Sequence, residues 1–155
     1  MCVNENNLMV FEMKEERIEK FIEKLIKKTE KKKITWKVLN KIDDWKNIKE
    51  EIKVIKQEDL KNYFIEENKS YCIVKAGGYV ILLRMRYGNA SIFSPVLDRY
   101  VLLVKINEEL YTVNLADYAI DGYDEMIEKL YEIIEQQKRN KYNITDCLNE
   151  FLEKI

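Results

Sequence analysis

Three arginines and a tyrosine near the middle of the chain form the pattern best suited to ligand chemistry: Arg84, Arg86, Tyr87 and Arg99. Arg84 and Arg86 are two positions apart, so in a β-strand their side chains point to the same face. Paired guanidinium groups hold a carboxylate or a phosphate through parallel hydrogen bonds. The pattern therefore predicts a binding face for a small anion or a nucleotide. The alternative is that these arginines pair with neighbouring glutamates at a solvated edge of the sheet.

Catalytic chemistry has little support in the residue types. The chain contains no histidine, and histidine is the most frequent general base in enzymes. Ser70, Ser91 and Ser94 have no evident activating partner, and the chain has neither a phosphate-binding loop nor a nucleophile elbow. We therefore expect a protein that is not an enzyme and that needs no cofactor and no metal. A carboxylate pair is the alternative route to catalysis, because the chain is rich in glutamate.

Two charged clusters favour structural roles. The first cluster is acidic and comprises Asp117, Asp121, Asp124 and Glu125. Its carboxylates could be oxygen ligands of a metal, but their spacing does not fit a calcium-binding loop. Capping of the following helix explains the cluster. The second is the lysine-rich segment 27–33, which suits the C-terminal end of a helix. Together with a net charge of −1, this argues against nucleic-acid binding.

The loop that follows the arginine-bearing strand is unusually apolar. Its sequence from Ser91 to Leu97 is SIFSPVL. If exposed, its large side chains would mark an interaction site; they are Ile92, Phe93, Val96 and Leu97. The alternative is that the loop folds back over an open end of the core. We expect a protein partner, or self-association through this loop or through the antiparallel meander of the sheet, because long loops of this kind are often functional.

Composition indicates the number of domains and the cellular compartment. A chain of 155 residues with 46% hydrophobic residues suits a single domain with its own core, here 1–155. The three cysteines are far apart and odd in number, which predicts a reducing, cytoplasmic compartment. Residues 1–13 lack the apolar core of a signal peptide, and we expect them to be flexible. No apolar stretch is long enough to span a bilayer, so we expect no membrane partner.

Hydrophobic periodicity predicts an α+β fold, in which an antiparallel meander of about five strands packs with N-terminal and C-terminal helices. The predicted helices are 14–30, 42–55, 123–137 and 145–155, and the predicted strands are 34–38, 71–75, 79–86, 100–106 and 109–113. Strand 79–86 is apolar on both faces in its first half, which predicts a central strand covered on both sides. Gly77 and Gly78 predict a tight hairpin before it. Residues 56–69 receive no single assignment, because Leu60, Tyr63 and Phe64 suggest either a further helical turn or an entry into the sheet.

Two segments together resemble a known group of proteins. One reads FIEKLIKKTEKKKITW, and the other contains GYVILLR, SPVLDRYVLLV and the helix EKLYEIIEQQ. They are similar to small uncharacterised α+β proteins of low-GC Gram-positive bacteria, in which a helix ending in K-T precedes an I-x-W strand. The resemblance implies an α+β fold and no known activity. Because such proteins are often encoded on phages and other mobile elements, it also implies a defence-related role as an expectation.

Taken together, the sequence predicts a cytoplasmic, non-enzymatic α+β protein that acts by binding another protein. Two alternatives stay open. One is a binder of small anions or nucleotides through the arginine and tyrosine face. The other is an enzyme that uses a carboxylate pair.

Overall fold

The structure is a computed structural model that describes residues 2–3, 9–12, 15–59, 63–87, 98–114, 123–141 and 144–155. Within these residues the helices are α1 (Glu15–Glu30), α2 (Trp45–Asp59), α3 (Tyr123–Lys141) and α4 (Ile144–Glu153). The strands are β1 (Cys2–Val3), β2 (Met9–Glu12), β3 (Lys37–Val38), β4 (Tyr63–Ile65), β5 (Tyr71–Lys75), β6 (Gly78–Tyr87), β7 (Asp98–Ile106) and β8 (Glu109–Thr112).

The predicted antiparallel sheet is confirmed, and the fold is α+β. Strands β5 to β8 are neighbours in chain order and form an antiparallel meander. The described sheet has the order β1-β2-β8-β7-β6-β5-β3, and β4 pairs with the far end of β6. One pairing is parallel: β2 lies beside β8, with Val10 opposite Leu110. No strand was predicted in this N-terminal segment.

Strand β6 is an interior strand that is covered on both faces, as its sequence predicts. One face carries Tyr79, Ile81, Leu83 and Met85, and these side chains join a core cluster with Ile48, Ile52 and Ile55 of α2. The other face carries Leu82 in a second cluster, together with Ile18, Ile22 and Leu25 of α1 and Ile127, Leu130 and Ile134 of α3. The protein therefore has three layers, with helices on both faces of the sheet.

The predicted packing of N-terminal and C-terminal helices on the sheet is confirmed. Helices α1 and α3 pack on the same face, and the opposite face is covered by α2, which precedes the meander and lies between β3 and β4 in the chain. The helical period of Ile48, Ile52 and Ile55 explains this, because it gives α2 an apolar stripe of its own that must be buried.

Two predicted boundaries also differ. The predicted strand 34–38 begins only at Lys37, because Trp36 turns inward and its indole Nε1 donates a hydrogen bond of 3.0 Å to Thr29 Oγ1 at the end of α1. The unassigned segment 56–69 contains the end of α2, strand β4 and a short 3-10 turn at Glu67–Lys69. That segment supplies one of the acidic groups of the site described next.

Candidate functional site

The paired arginines lie on one face of β6, as predicted. In the register with β7, Arg84 lies opposite Tyr100 and Arg86 lies opposite Asp98. Arg84 Nη2 donates to Asp98 Oδ2 at 2.9 Å, and Arg86 Nε donates to Asp98 Oδ1 at 3.3 Å. The two guanidinium groups therefore share one carboxylate of the neighbouring strand.

A second carboxylate reaches the same arginines from the segment before β5. Glu66 Oε1 lies 3.2 Å from Arg86 Nε and 3.6 Å from Arg84 Nε. Ser70 fixes this arrangement, because its buried hydroxyl donates to Glu66 O at 2.8 Å and accepts from Arg84 N at 2.9 Å. The arginine charges are thus compensated within the protein, which is the alternative that the sequence left open.

The other predicted site residues do not converge on this pair. Arg99 lies opposite Met85 in the register, so its side chain leaves the sheet on the other face, where Nη2 donates to Asn114 O. The backbone of Tyr87 pairs with Tyr63, and its side chain lies outside the described part of the chain. The predicted interface residues Ile92, Phe93, Val96 and Leu97 also lie outside the described residues.

Three tyrosines extend the arginine face toward α3. The rings of Tyr100 and Tyr131 are 4.4 Å apart, and those of Tyr71 and Tyr131 are 5.5 Å apart. Tyr71 donates its hydroxyl hydrogen to Glu135, and Tyr131 donates to Lys69 O at 2.7 Å. Burial, strengthened by Glu135, raises the pKa of Tyr71 far above its usual range. The hydroxyls of Tyr71 and Tyr131 therefore stay protonated near neutral pH and act as hydrogen-bond donors.

The surroundings of Asp98 on this face favour its ionised form. Burial alone would raise the pKa of Asp98, but the hydrogen bonds and charges of Arg84 and Arg86 outweigh burial and lower it below its ordinary value of 3.8. Asp98 is therefore ionised at neutral pH and carries no proton to donate. An acid–base pair needs two groups whose pKa values are pushed apart, with one raised toward neutrality, and Asp98 is shifted in the opposite direction.

We expect Asp98→Asn to flatten the acid limb of the stability profile. The folded-state pKa is depressed, so the contribution of Asp98 is complete above its ordinary pKa and is lost as the pH falls through the lowered value. Near neutral pH the loss is expected to be about 1 kcal/mol, since solvent weakens a partly exposed pair. Urea unfolding of both proteins from about pH 2 to pH 7 measures the difference.

The matched control for this prediction is Asp43→Asn, which changes an exposed aspartate with no ion pair among the described residues. If this control variant and Asp98→Asn lost the same stability at every pH, the arginine pairing would have no specific role.

A polar group that the sequence did not reveal lies on the other face of the sheet. Glu51 of α2 accepts hydrogen bonds from the hydroxyl of Tyr79 and from Nζ of Lys105. Burial, followed by the bond to Glu51, raises the pKa of Tyr79 well above its ordinary value. The three groups border a cavity of about 610 Å³ beside the ends of the two hairpins. They satisfy one another, so they tie α2 to the sheet.

A second cavity carries uncompensated positive charge. It has a volume of about 650 Å³ and lies between segment 33–35 and strand β5. Its charged lining consists of Lys33, Lys37, Lys41, Lys75, Asp43 and Asp44. All four lysines are exposed, and within the described residues none of them forms an ion pair. We call this cavity the lysine cleft; part of the predicted lysine-rich segment contributes to it through Lys33.

The acidic cluster before α3 is described only in part. Asp124 and Glu125 lie in the first turn of α3, where the helix dipole favours negative charge. Asp124 Oδ1 also accepts a hydrogen bond of 2.7 Å from the buried side chain of Asn114. No group of three or more possible metal ligands occurs among the described residues, and Asp117 and Asp121 lie outside them.

Helix α4 presents an apolar stripe to solvent. Leu148, Phe151, Leu152 and Ile155 are exposed by 56, 63, 64 and 87%. The spacing of Leu148, Phe151 and Leu152 places them on one face of α4, and Ile155 follows two residues after the end of the helix. Within the described chain, neither core cluster contains a residue of α4. We call these four side chains the α4 stripe.

Comparison of the chain with profiles of protein families, with curated proteins and with solved structures gives no significant match. Among the described helices, none combines the length and the apolar character that crossing a membrane requires. The site must therefore be interpreted from its own residues.

Proposed function

We propose that the protein acts by binding another protein and that the α4 stripe is its docking surface. The observation that carries this proposal is the exposure of three large apolar side chains of a short helix, together with Ile155 two residues beyond its end. Soluble monomers seldom leave such contiguous apolar surface uncovered unless it meets a partner. An amphipathic helix that lays its apolar face into a groove is a common form of protein recognition.

The charges beside the stripe indicate the chemistry of the partner. Glu150 and Glu153 are exposed next to the apolar positions and outnumber the exposed Lys154, and an excess of acidic residues at the rim of an interface steers association toward positive surfaces. We therefore propose a partner with an apolar groove bordered by basic residues. The same acidic rim disfavours direct pairing of two α4 helices, since like charges would face each other.

Replacing Leu148, Phe151 and Leu152 together by glutamine is expected to abolish capture of the partner. Each buried apolar side chain of this size contributes about 1.5–3 kcal/mol, so the affinity should fall by at least about a hundredfold. The partner is identified by affinity capture from the source cells with mass spectrometry, and the purified partner is then titrated against wild-type and variant protein.

The matched control is Asn149→Gln, because Asn149 is exposed on the same helix and lies outside the stripe. Light scattering on wild type and variant separates a foreign partner from self-association, and self-association through the stripe would contradict the proposed partner. A second variant, with Ile92, Phe93 and Leu97 changed to serine, tests the predicted loop interface separately. The α4 proposal fails if the glutamine variant keeps both the oligomeric state and the full affinity of the wild type.

The second candidate function is binding of an anionic group, and the lysine cleft supports it better than the arginine face does. The guanidinium groups of Arg84 and Arg86 are engaged by Asp98 and Glu66, whereas the lysines of the lysine cleft lack such partners among the described residues. The four lysines of the cleft outnumber its two aspartates, and this excess of exposed positive charge favours an anionic ligand. The lysine cleft is therefore the place where this candidate would act.

The proposal includes a reducing, cytoplasmic setting. It is supported by Cys72, which is buried as a free cysteine in the core of the sheet. Burial raises the pKa of its thiol to about 11, although the charge of Lys37 acts against this shift. Such a thiol is unreactive and serves as a small apolar side chain. The defence-related role on mobile elements is part of the proposal on the strength of the resemblance alone.

A further inference from the structure

We propose that the lysine cleft binds an acidic segment of a partner protein, which adds to the sheet as an extended strand beside β5. This site is separate from the α4 stripe and does not depend on it. Three observations carry the inference: an open edge of β5, uncompensated lysines on both walls, and a cavity of about 650 Å³ between them.

The open edge follows from the register of β5. Strand β3 covers only Tyr71 and Cys72 of β5, so the rest of that edge has no neighbouring strand among the described residues. The loop between Lys75 and Gly78 has two residues, so these two residues form the hydrogen-bonded pair that closes the hairpin. The backbone N–H and C=O groups of successive residues in a strand point alternately to its two sides. Those of Lys75 point toward β6, so the N–H and C=O of Val74 point away from β6 and face the cleft.

An independent contact confirms this alternation. Ser70, four residues before Val74, directs its carbonyl away from β6 and accepts a hydrogen bond of 2.8 Å from Leu39 N. Among the backbone hydrogen bonds of the described chain outside the regular helices and strands, none involves Val74. Its N–H and C=O are therefore available to an incoming strand, which recognises such an edge through main-chain hydrogen bonds.

The charges of the cleft select the sequence of that strand. Lys33 lies on the wall opposite β5, while Lys75 ends β5 itself and Lys37 starts β3. Asp43 and Asp44 also border the cavity, so four lysines outnumber two aspartates. An extended peptide presents its side chains alternately to the two sides, and glutamate or aspartate at alternate positions would meet these lysines.

The same charges exclude a second copy of this chain as the occupant. Lysine on an exposed strand edge is a known device against edge-to-edge association, because two such edges repel each other. If β5 paired with β5 of another copy, the lysines of both cleft walls would be brought together. The partly buried Ile34, Ile42 and Ile73 also line the cavity and provide apolar contact for the side chains of an inserted strand.

The proposal is tested with a fluorescein-labelled peptide of six alternating glutamate and valine residues. Its binding to the full chain is measured by fluorescence anisotropy. Two matched peptides are compared: one has lysine in place of glutamate, and one is N-methylated at its central residues, which blocks main-chain hydrogen bonds. We expect the acidic peptide to bind best. Changing Lys37 and Lys75 to glutamate should weaken it about tenfold or more and should favour the lysine peptide.

The control variant changes Lys20 and Lys24 to glutamate, because these exposed lysines of α1 give the same total charge without lining the cleft. It should bind the acidic peptide almost as the wild type does. The proposal is overturned if the acidic peptide binds no better than the lysine peptide, or if both charge variants lose affinity equally. Equal binding of the N-methylated peptide would also overturn it and would indicate a site for free anions. Thermal unfolding confirms that each variant is folded.

Discussion

Replacing Gly78 by alanine is expected to destabilise the protein by about 3 kcal/mol, because it forces a methyl group into an occupied space. A Cβ at this position would collide with the carbonyl oxygen of Lys105 and would lie 3.0 Å from its carbonyl carbon. Both atoms belong to the backbone of β7, so they cannot move aside without opening the β6–β7 ladder. The melting temperature should fall by roughly 6–12 °C.

The neighbouring glycine provides the control for this expectation. Gly77 has a φ of 86° and its nearest neighbour for a new Cβ is Asn107 Oδ1 at 3.8 Å. The Cβ of Gly77→Asn therefore makes only ordinary van der Waals contact, and asparagine tolerates the left-handed conformation better than most residues with a side chain. We expect its effect to be much smaller in the same thermal scans. Equal losses in the two variants would mean that hairpin conformation, rather than the contact with Lys105, sets the requirement for Gly78.

The position of Lys105 also links this hairpin to the layer above it. Its side chain forms the ion pair with Glu51 of α2, and its backbone limits the space at Gly78. A shift of β7 at this point would disturb the Glu51, Tyr79 and Lys105 group as well. The expected cost of Gly78→Ala therefore includes weakened contact between α2 and the sheet.

The sequence predicted those elements whose patterns are local and long. The predicted strand 79–86 has eight residues, and its first half is apolar on both faces. This combination is typical of an interior strand that is covered on both sides. Helix α1 has a regular apolar stripe, and its predicted start differs from Glu15 by one residue. In both cases the order of apolar and polar residues along the segment is enough to predict the element.

Short elements paired over long distances could not be predicted in the same way. Strand β2 has four residues, and its partner β8 begins at Glu109. Strand β4 has three residues and pairs with residues 85–87 of β6. Such segments are too short to show a period, and their conformation is set by an edge of a sheet that forms elsewhere in the chain.

The shared face of Arg84 and Arg86 was predicted from the sequence, whereas the position of Arg99 on the other face was not. The common face of Arg84 and Arg86 follows from strand periodicity alone. Arg99 was grouped with them because the predicted strand began at residue 100, whereas β7 begins at Asp98. Extending that strand by two residues would have placed Arg99 on the opposite face from Tyr100, so the information was present in the sequence.

The lysine cleft, in contrast, has no signal in any one segment. Lys33 follows α1, Lys41 lies before α2, and Lys75 ends β5. They meet only because β3 pairs with β5 through two residues and then diverges from it. A cluster of this kind depends on how the chain returns to the sheet, which local propensity does not determine.

Leu82→Ala and Leu148→Ala are expected to separate folding from partner binding. Leu82 is fully buried on the face of β6 that packs against α1 and α3. Removing its side chain leaves a cavity in this cluster, which should cost about 2–5 kcal/mol. Leu148 undergoes the same chemical change while 56% exposed, so its effect on unfolding should stay within about 0.5 kcal/mol.

The binding assay should reverse this order. Where Leu82→Ala remains folded, its affinity for the captured partner should equal that of the wild type, because the α4 stripe is intact. Leu148→Ala should bind more weakly, since it removes apolar surface from the docking face. Chemical denaturation and titration of the same two proteins give both comparisons. If Leu148→Ala destabilised the fold as strongly as Leu82→Ala, α4 would have to pack on the protein's own core, and its stripe would no longer be available to a partner.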